Sequence, residues 1–216
     1  MTADITLAGE RLVLRADRSL FWPRRRTLVI ADTHFGKSDA FRAAGIPIPG
    51  GLANTLNRLD SALDATRAER LIVLGDFWHT RTGRTEGILS DLKEWRERKH
   101  ELHVELIRGN HDRAGPAPDG WSETWHSELI EPPFRFSHFP TATENLYVLA
   151  GHLHPDVSLQ GRGRDRLKLP CFWFGSQVGV LPAFNEFTGL QLVSRQVGTR
   201  TFAIAENEVV DVSGVV

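Results

Sequence analysis

The chain has 216 residues, 41% hydrophobic and 25% charged, which excludes a disordered or fibrous chain and suits one domain spanning residues 1–216. A formal charge of −1 excludes extensive neutralisation of a duplex backbone, so any nucleic-acid contact is expected to be local. Nine His stand beside one Cys, which excludes an intramolecular disulfide or a thiolate zinc site and leaves N and O donors for any metal.

The start, Met1-Thr2-Ala3-Asp4-Ile5, lacks the basic and apolar regions of a secretory signal, and no apolar run approaches the roughly 20 residues that span a bilayer. A soluble, cytoplasmic protein with no membrane partner is therefore expected. Leu12–Leu14, Ser19–Trp22 and Thr27–Ala31 read as short strands, the third apolar throughout like a buried central strand and ending at Asp32-Thr33-His34. Gly36 to Gly51 holds four Gly and two Pro and reads as a long functional loop. Leu52, Leu56, Leu59 and Leu63 follow helical spacing, and Leu71–Leu74 is a buried strand ending at Gly75-Asp76. Ile88, Leu89, Leu92 and Trp95 mark a second helix, then Val104–Ile107 a strand that runs into Gly109-Asn110-His111-Asp112.

This alternation predicts a parallel sheet with helical crossovers and ligands at the carboxyl ends of its strands. After Gly120 strands follow one another: Phe134–His138, Leu146–Ala150, Asp156–Leu159, Leu167–Phe174, Leu190–Ser194 and Thr201–Ala205, with a hairpin turn at Gly161–Arg166. A second, mixed or antiparallel sheet packed against the first, with helices outside, would bury both apolar sets in one core.

The strand-end polar residues are Asp32-x-His34, Gly75-Asp76, Gly109-Asn110-His111-Asp112, His138 and Gly151-His152-x-His154. An extended period of two puts Asp32 beside His34, and His152 beside His154, so each pair is expected to face one metal region. Carboxylate, imidazole and amide donors favour Mn²⁺, Fe, Ni, Co or Zn²⁺. Seven candidate ligands exceed the needs of one ion, and two ions sharing Asp76 would use them all. Such a pair activates a bridging water for in-line attack on a phosphodiester. His111, beside Asn110, is placed to donate a hydrogen bond or proton to the phosphoryl or leaving oxygen.

This series resembles the calcineurin-like metallophosphoesterase superfamily, whose pattern runs D-x-H, G-D, G-N-H-D/E, H, G-H-x-H. The resemblance implies a four-layer α/β/β/α sandwich of two mixed β-sheets flanked by helices. It implies one metal on Asp32, His34, Asp76 and His154, a second on Asp76, Asn110, His138 and His152, with His111 as acid and Asp112 orienting it. Ala31–Lys37, Gly45–Pro49, Gly151–Pro155 and Leu181–Gly189 are further similar to the bacterial ligase-associated DNA-damage-response phosphoesterases, small manganese enzymes that cut single-stranded DNA. That likeness implies two divalent ions, Mn²⁺ foremost, and functional association with DNA ligase or helicase repair proteins. Asn185 departs from it, standing where a Gly is expected, and Asn too tolerates a left-handed backbone.

Around these motifs, Lys37 and Arg42 are candidate phosphate contacts, Phe35 and Phe41 candidate base-stacking rings, and His79 and Arg113 candidate substrate-side residues. Arg81 and Arg84 read as rim charges. His100, His103 and His126 match no motif. Trp22, Trp95 and Trp173 read as core, whereas one of Trp78, Trp121 and Trp125 is expected to line a substrate groove. Cys171 reads as a buried thiol. The leading expectation is a single-strand DNA endonuclease; the alternatives are a UDP-diacylglucosamine pyrophosphatase or other nucleotide phosphodiesterase, which would need an apolar lid that is not seen, and a non-catalytic scaffold, which would typically have lost ligands.

Overall fold

The computed structural model describes residues 1–46, 51–122, 125–160, 166–186, 189, 191–193 and 198–214. Runs of apolar residues with period-two burial build the first sheet from β1 (Thr2–Leu7), β2 (Glu10–Arg15), β3 (Leu20–Trp22), β4 (Thr27–Ile30), β5 (Arg70–Leu74), β6 (His103–Ile107) and β7 (Trp125–His126), hydrogen-bonded in that order. Its first four strands pair antiparallel and β4 to β7 pair parallel. The parallel register is straight, with Leu28 opposite Leu71 and Leu71 opposite Val104. Parallel neighbours need long crossovers. These are supplied by α1 (Lys37–Ala43) with α2 (Leu52–Thr66), and by α3 (Glu86–Arg98), whose Thr85 side chain caps the Ile88 N–H.

The second sheet comprises β8 (Glu128–Glu131), β9 (Phe134–Ser137), β10 (Tyr147–Ala150), β11 (Pro155–Gln160), β12 (Arg166–Phe174), β13 (Val178–Val180), β14 (Gln191–Leu192), β15 (Arg200–Ala205) and β16 (Glu208–Asp211). β9, β10 and β13 run parallel, and most other pairs are antiparallel. The two faces of each central strand are both buried. Leu28, Ile30, Leu71, Val73, Val104 and Leu106 meet α2 and α3, while Val29, Ala31, Ile72, Leu74 and Ile107 meet Phe134, Phe136, Leu149, Phe172 and Phe174 of the second sheet. Trp22 closes this inter-sheet layer edge-on against Phe134 with ring centroids 5.1 Å apart. The two mixed sheets and the helical layer over the first are thus those expected.

Several local expectations change. The segment after Gly36 begins with the helix α1 rather than running as a loop, because Lys37 to Ala43 contain no Gly or Pro, and Gly36 enters it in a left-handed conformation. Residues 47–50, most of the Gly161–Arg166 turn, and parts of the Leu190–Ser194 and Leu181–Gly189 segments lie outside the described residues. Trp78 and Trp121 are fully buried in the helix-side core rather than lining a groove, Trp125 is half-buried in β7, and Trp173 is half-buried on β12. His103 and His126 both pair with Glu105, at 2.8 and 2.6 Å, and exposed His100 lies beside the Glu97 carbonyl.

Cys171 sits unpaired in β12 with no exposure, and burial, helped by Asp156, pushes its thiol up to about 12. A raised thiol pKa keeps the sulfur protonated and unreactive at neutral pH. The native protein is expected to show no thiol toward Ellman's reagent at pH 8 and one after unfolding in guanidinium; rapid labelling of the folded protein would place Cys171 at the surface.

Candidate metal centre

The strand-end residues gather where the parallel strands of both sheets finish. Asp32 and His34 follow β4, Asp76 follows β5, Asn110 follows β6, His138 follows β9, and His152 and His154 follow β10. Asp32, His34, Asp76, His152 and His154 all have positive φ, between 43° and 71°. Non-glycine residues rarely adopt this region, and clusters of such strain mark functional sites. The backbone at these donors is therefore not the extended chain expected, although Asp32 and His34 do share one donor group as expected. Left-handed residues carry the side chains inward instead, and His152 and His154 join different donor groups.

The glycines of the motifs have a steric cause. A Cβ on Gly109 would lie 2.2 Å from Asp76 Oδ1, one on Gly75 would lie 2.4 Å from His138 Nδ1, and one on Gly151 would lie 2.6 Å from Asp32 Oδ2. Each glycine lets a backbone from one strand pass against a donor from another.

Asp32, His34 and His154 form one group and Asp76, His138 and His152 another, with the candidate donor atoms of each group within 4.8 Å of one another. In the first, His34 Nε2 lies 3.3 Å from His154 Nε2, and His154 Nε2 lies 3.6 Å from Asp32 Oδ1. In the second, His138 Nε2 lies 3.1 Å from His152 Nδ1, 3.1 Å from Asn110 Oδ1 and 3.5 Å from Asp76 Oδ1. Asp76 Oδ2 reaches to 3.8 Å from His34 Nε2, so this carboxylate spans both groups. The Nδ1 atoms of His138 and His154 lie 2.9 and 3.0 Å from the carbonyls of Leu74 and Gly189. As N–H donors they leave the Nε2 lone pairs turned inward.

Nitrogen lone pairs that face each other at such distances call for a cation between them. Burial, with His154, Lys37, His111 and His79 adding to it, lowers His34 to about 2, so its imidazole is neutral and able to ligate. Burial also lowers His152, whereas at His154 burial is overcome by the bond to Asp32, its negative charge and the Gly189 carbonyl acting together, which raise it. The donor set fits two divalent ions held by nitrogen and oxygen. His34 Nδ1 has no partner among the described residues.

His111 sits at the edge of this centre, its ring centroid 5.1 Å from that of His34. Its N–H donates to Asp76 Oδ1 at 2.9 Å, and its Nδ1 lies 2.7 Å from the His79 carbonyl. Donation from Nδ1 to that carbonyl leaves Nε2 for a substrate.

The calcineurin-like phosphoesterase family model matches residues 25–186, a span that contains every one of these donors. The chain belongs to the calcineurin-like phosphoesterase family. It is a metal-dependent phosphodiesterase, and the family uses a binuclear divalent centre. Among solved structures it is similar to nuclease MPE of Pseudomonas putida, at 39% identity and a TM-score of 0.86, covering 98% of this chain and 100% of that one. It also matches the phosphoesterase Yfce of E. coli at 14% identity and a TM-score of 0.44, over 85% of this chain and 95% of that one. No curated protein sequence matches it significantly.

Around this phosphoesterase centre three expectations are revised. Asp112 does not touch the His111 ring: its carboxylate accepts from the Gly109 N–H at 2.7 Å and the Trp78 N–H at 3.0 Å, so it shapes the backbone from which His111 projects. Burial pushes Asp112 up to about 6 against those two donors. Phe35 is buried among Phe77 and Trp121 and offers no face to a base. Asn185 is not left-handed; its side-chain amide donates to the Thr33 carbonyl at 2.9 Å and clamps the Asp32–His34 turn.

Lys37 is half-buried, has no ion-pair partner among the described residues, and lowers His34 and His79 by its charge. Burial first, then Lys37 and His111, lowers His79 to about 4; its ring stacks on His111 at 5.8 Å and on Phe41 at 6.1 Å. Arg42 pairs with Asp39 at 3.3 Å and lies beside Gly51, and Arg113 is exposed on the turn after Asn110. Arg84 lies over Trp78 and bonds the Ala114 carbonyl rather than forming an open rim.

The close approach of Asp76 to Gly109 has a measurable consequence. Gly109→Ala pushes Asp76 from its shared position and is expected to weaken metal affinity and kcat/KM about tenfold to a hundredfold, whereas Gly214→Ala, which meets nothing within 4 Å, leaves both unchanged. Metal titration by calorimetry and a chromogenic diester assay check this, and equal behaviour of the two variants would remove the steric reason for the motif glycine.

Proposed function

We propose that this phosphodiesterase is a manganese-dependent single-strand DNA endonuclease acting in DNA repair. The observation that carries the reading is its likeness, over essentially the whole chain, to a nuclease at 39% identity. The complete donor set supports it, and the single net negative charge suits a strand gripped at a few phosphates better than a wrapped duplex.

In this reading Asp32, His34, Asp76 and His154 hold one ion, and Asp76, Asn110, His138 and His152 the other. When bound, the ions supply Lewis-acid charge that acidifies water and offsets charge on the phosphoryl oxygens. The protein supplies the rest. Left-handed turns and the Leu74 and Gly189 carbonyls orient the donors. His111, held through Nδ1 by the His79 carbonyl, presents Nε2 to the phosphoryl or leaving oxygen and carries the proton there. Lys37, half-buried and without an ion-pair partner among the described residues, adds a positive charge for a phosphate.

Metal-stripped protein is expected to be inactive, and Mn²⁺ to restore cleavage of single-stranded DNA and of bis-p-nitrophenyl phosphate, with duplex DNA cut far more slowly. His111→Ala is expected to lower kcat roughly 10²- to 10⁴-fold with the metal content unchanged. Intact single-stranded DNA in the presence of Mn²⁺, Zn²⁺ and Mg²⁺ sinks the nuclease reading, and preferential hydrolysis of a UDP-diacylglucosamine points to the pyrophosphatase instead.

A further inference from the structure

The donor groups are bordered on their two sides by two phenylalanines in different states. On the side of His34 and His111, Phe41 is half-buried and lies nearly parallel to His79, at 18°, so one of its faces is committed to protein. On the side of the second group, Phe139 directly follows His138. Its ring centroid lies 4.8 Å from that of His138 and 4.8 Å from that of His152, yet the residue is 45% exposed. It is the only aromatic residue among the described large hydrophobic side chains that are exposed. Of the others, Ile130, Leu167, Leu192 and Val210 belong to β8, β12, β14 and β16, and Met1 and Ile46 are aliphatic.

The backbone fixes this placement. Pro140 biases the preceding residue toward an extended conformation, and the Thr141 N–H donates to the Phe139 carbonyl at 2.9 Å, so the ring stands on a short closed turn. Apolar bulk against His138 and His152 could come from an aliphatic side chain, whereas the flat ring left open to water at a centre of otherwise polar groups could not. Inclined at 74° and 65° to the two imidazoles, it offers a surface beside the donors. A group resting on that surface lies directly beside His138 and His152, whose ring centroids are each 4.8 Å from that of Phe139. Flat π-surfaces of this kind hold bases in a sequence-tolerant way, and only an unpaired base can turn out to meet one.

We propose that Phe139 is a stacking platform for the unpaired nucleobase on one side of the scissile phosphate. The inference rests on the nuclease reading and sharpens its substrate class: a single strand with a base at one defined neighbour of the cut. Because one face of Phe41 is taken by His79 while Phe139 is the more open ring, the stronger requirement for a base falls on the Phe139 side.

The test uses single-stranded oligonucleotides with one cleavable phosphodiester, all other linkages being methylphosphonates, and an abasic residue on the 5′ side, on the 3′ side or on neither. With Mn²⁺, removal of the base on one side is expected to lower kcat/KM about tenfold, and removal on the other side to have little effect. In Phe139→Leu, which keeps apolar bulk against His138 and His152, the ratio of rates on base-bearing and abasic substrates is expected to fall from about ten toward one. Phe139→Trp is expected to keep the ratio high. An unchanged ratio in Phe139→Leu, or equal sensitivity of the wild type to abasic residues on both sides, overturns the assignment while leaving the nuclease reading standing. A wild-type protein that cuts none of these strands, in a preparation shown to carry metal, overturns both.

Discussion

Four imidazoles and two carboxylates converge at one place between the sheets, and their lone pairs and negative charges repel unless cations lie among them. Much of the local architecture serves to hold this unfavourable assembly together. The cost is visible in the backbone, where five donors occupy the left-handed region, each such residue costing of order 1–3 kcal/mol. It is visible again in the glycines that let Asp32, Asp76 and His138 sit against a neighbouring chain. A site assembled at such expense is pre-organised for ions and has few alternative arrangements into which it can relax.

Rigidity comes from the two sheets together. β4, β5 and β6 carry Asp32, His34, Asp76 and Asn110, while β9 and β10 carry His138, His152 and His154. Neither sheet holds a complete donor group. The His152 N–H donates to both Asp32 oxygens, at 3.2 and 2.9 Å, and His138 Nδ1 lies 2.9 Å from the Leu74 carbonyl, so hydrogen bonds join the sheets at the centre itself. Below them the apolar faces of the central strands meet Phe134, Phe136 and Phe172, and Trp22 closes the layer. Burial of that layer is what fixes the separation of the two donor halves. Asp112 and Asn185 then act from behind, each spending polar atoms on backbone groups of the ligand-bearing turns.

The substrate face is built by another logic. His111 hangs from the His79 carbonyl within a stack that includes Phe41, and Lys37 brings charge without a protein partner among the described residues. Phe139 stands on the other side with its ring open. A polar, charge-neutralising centre with an aromatic surface beside it suits a polymer whose charge and whose flat bases alternate.

By itself, the sequence determined which groups meet. Apolar runs that end in Asp, Asn or His declared both the buried strands and the donors, because a parallel sheet exposes its carboxyl ends and metal chemistry restricts the residue types that follow. Helical spacing likewise marked α2 and α3. Weaker signals were not legible: β1 and β16 mix charged and apolar residues, and α1 lies between glycines that read as loop. The period-two pattern put His152 and His154 together while the family resemblance divided them, and the tertiary structure sides with the resemblance, placing them in different donor groups. Only the tertiary structure decided that Trp78, Trp121 and Phe35 are core, that Asp112 serves the backbone and that Phe139 stays exposed. Burial and hydrogen bonding at those positions depend on residues dozens of places away in the chain, and no local pattern carries that information.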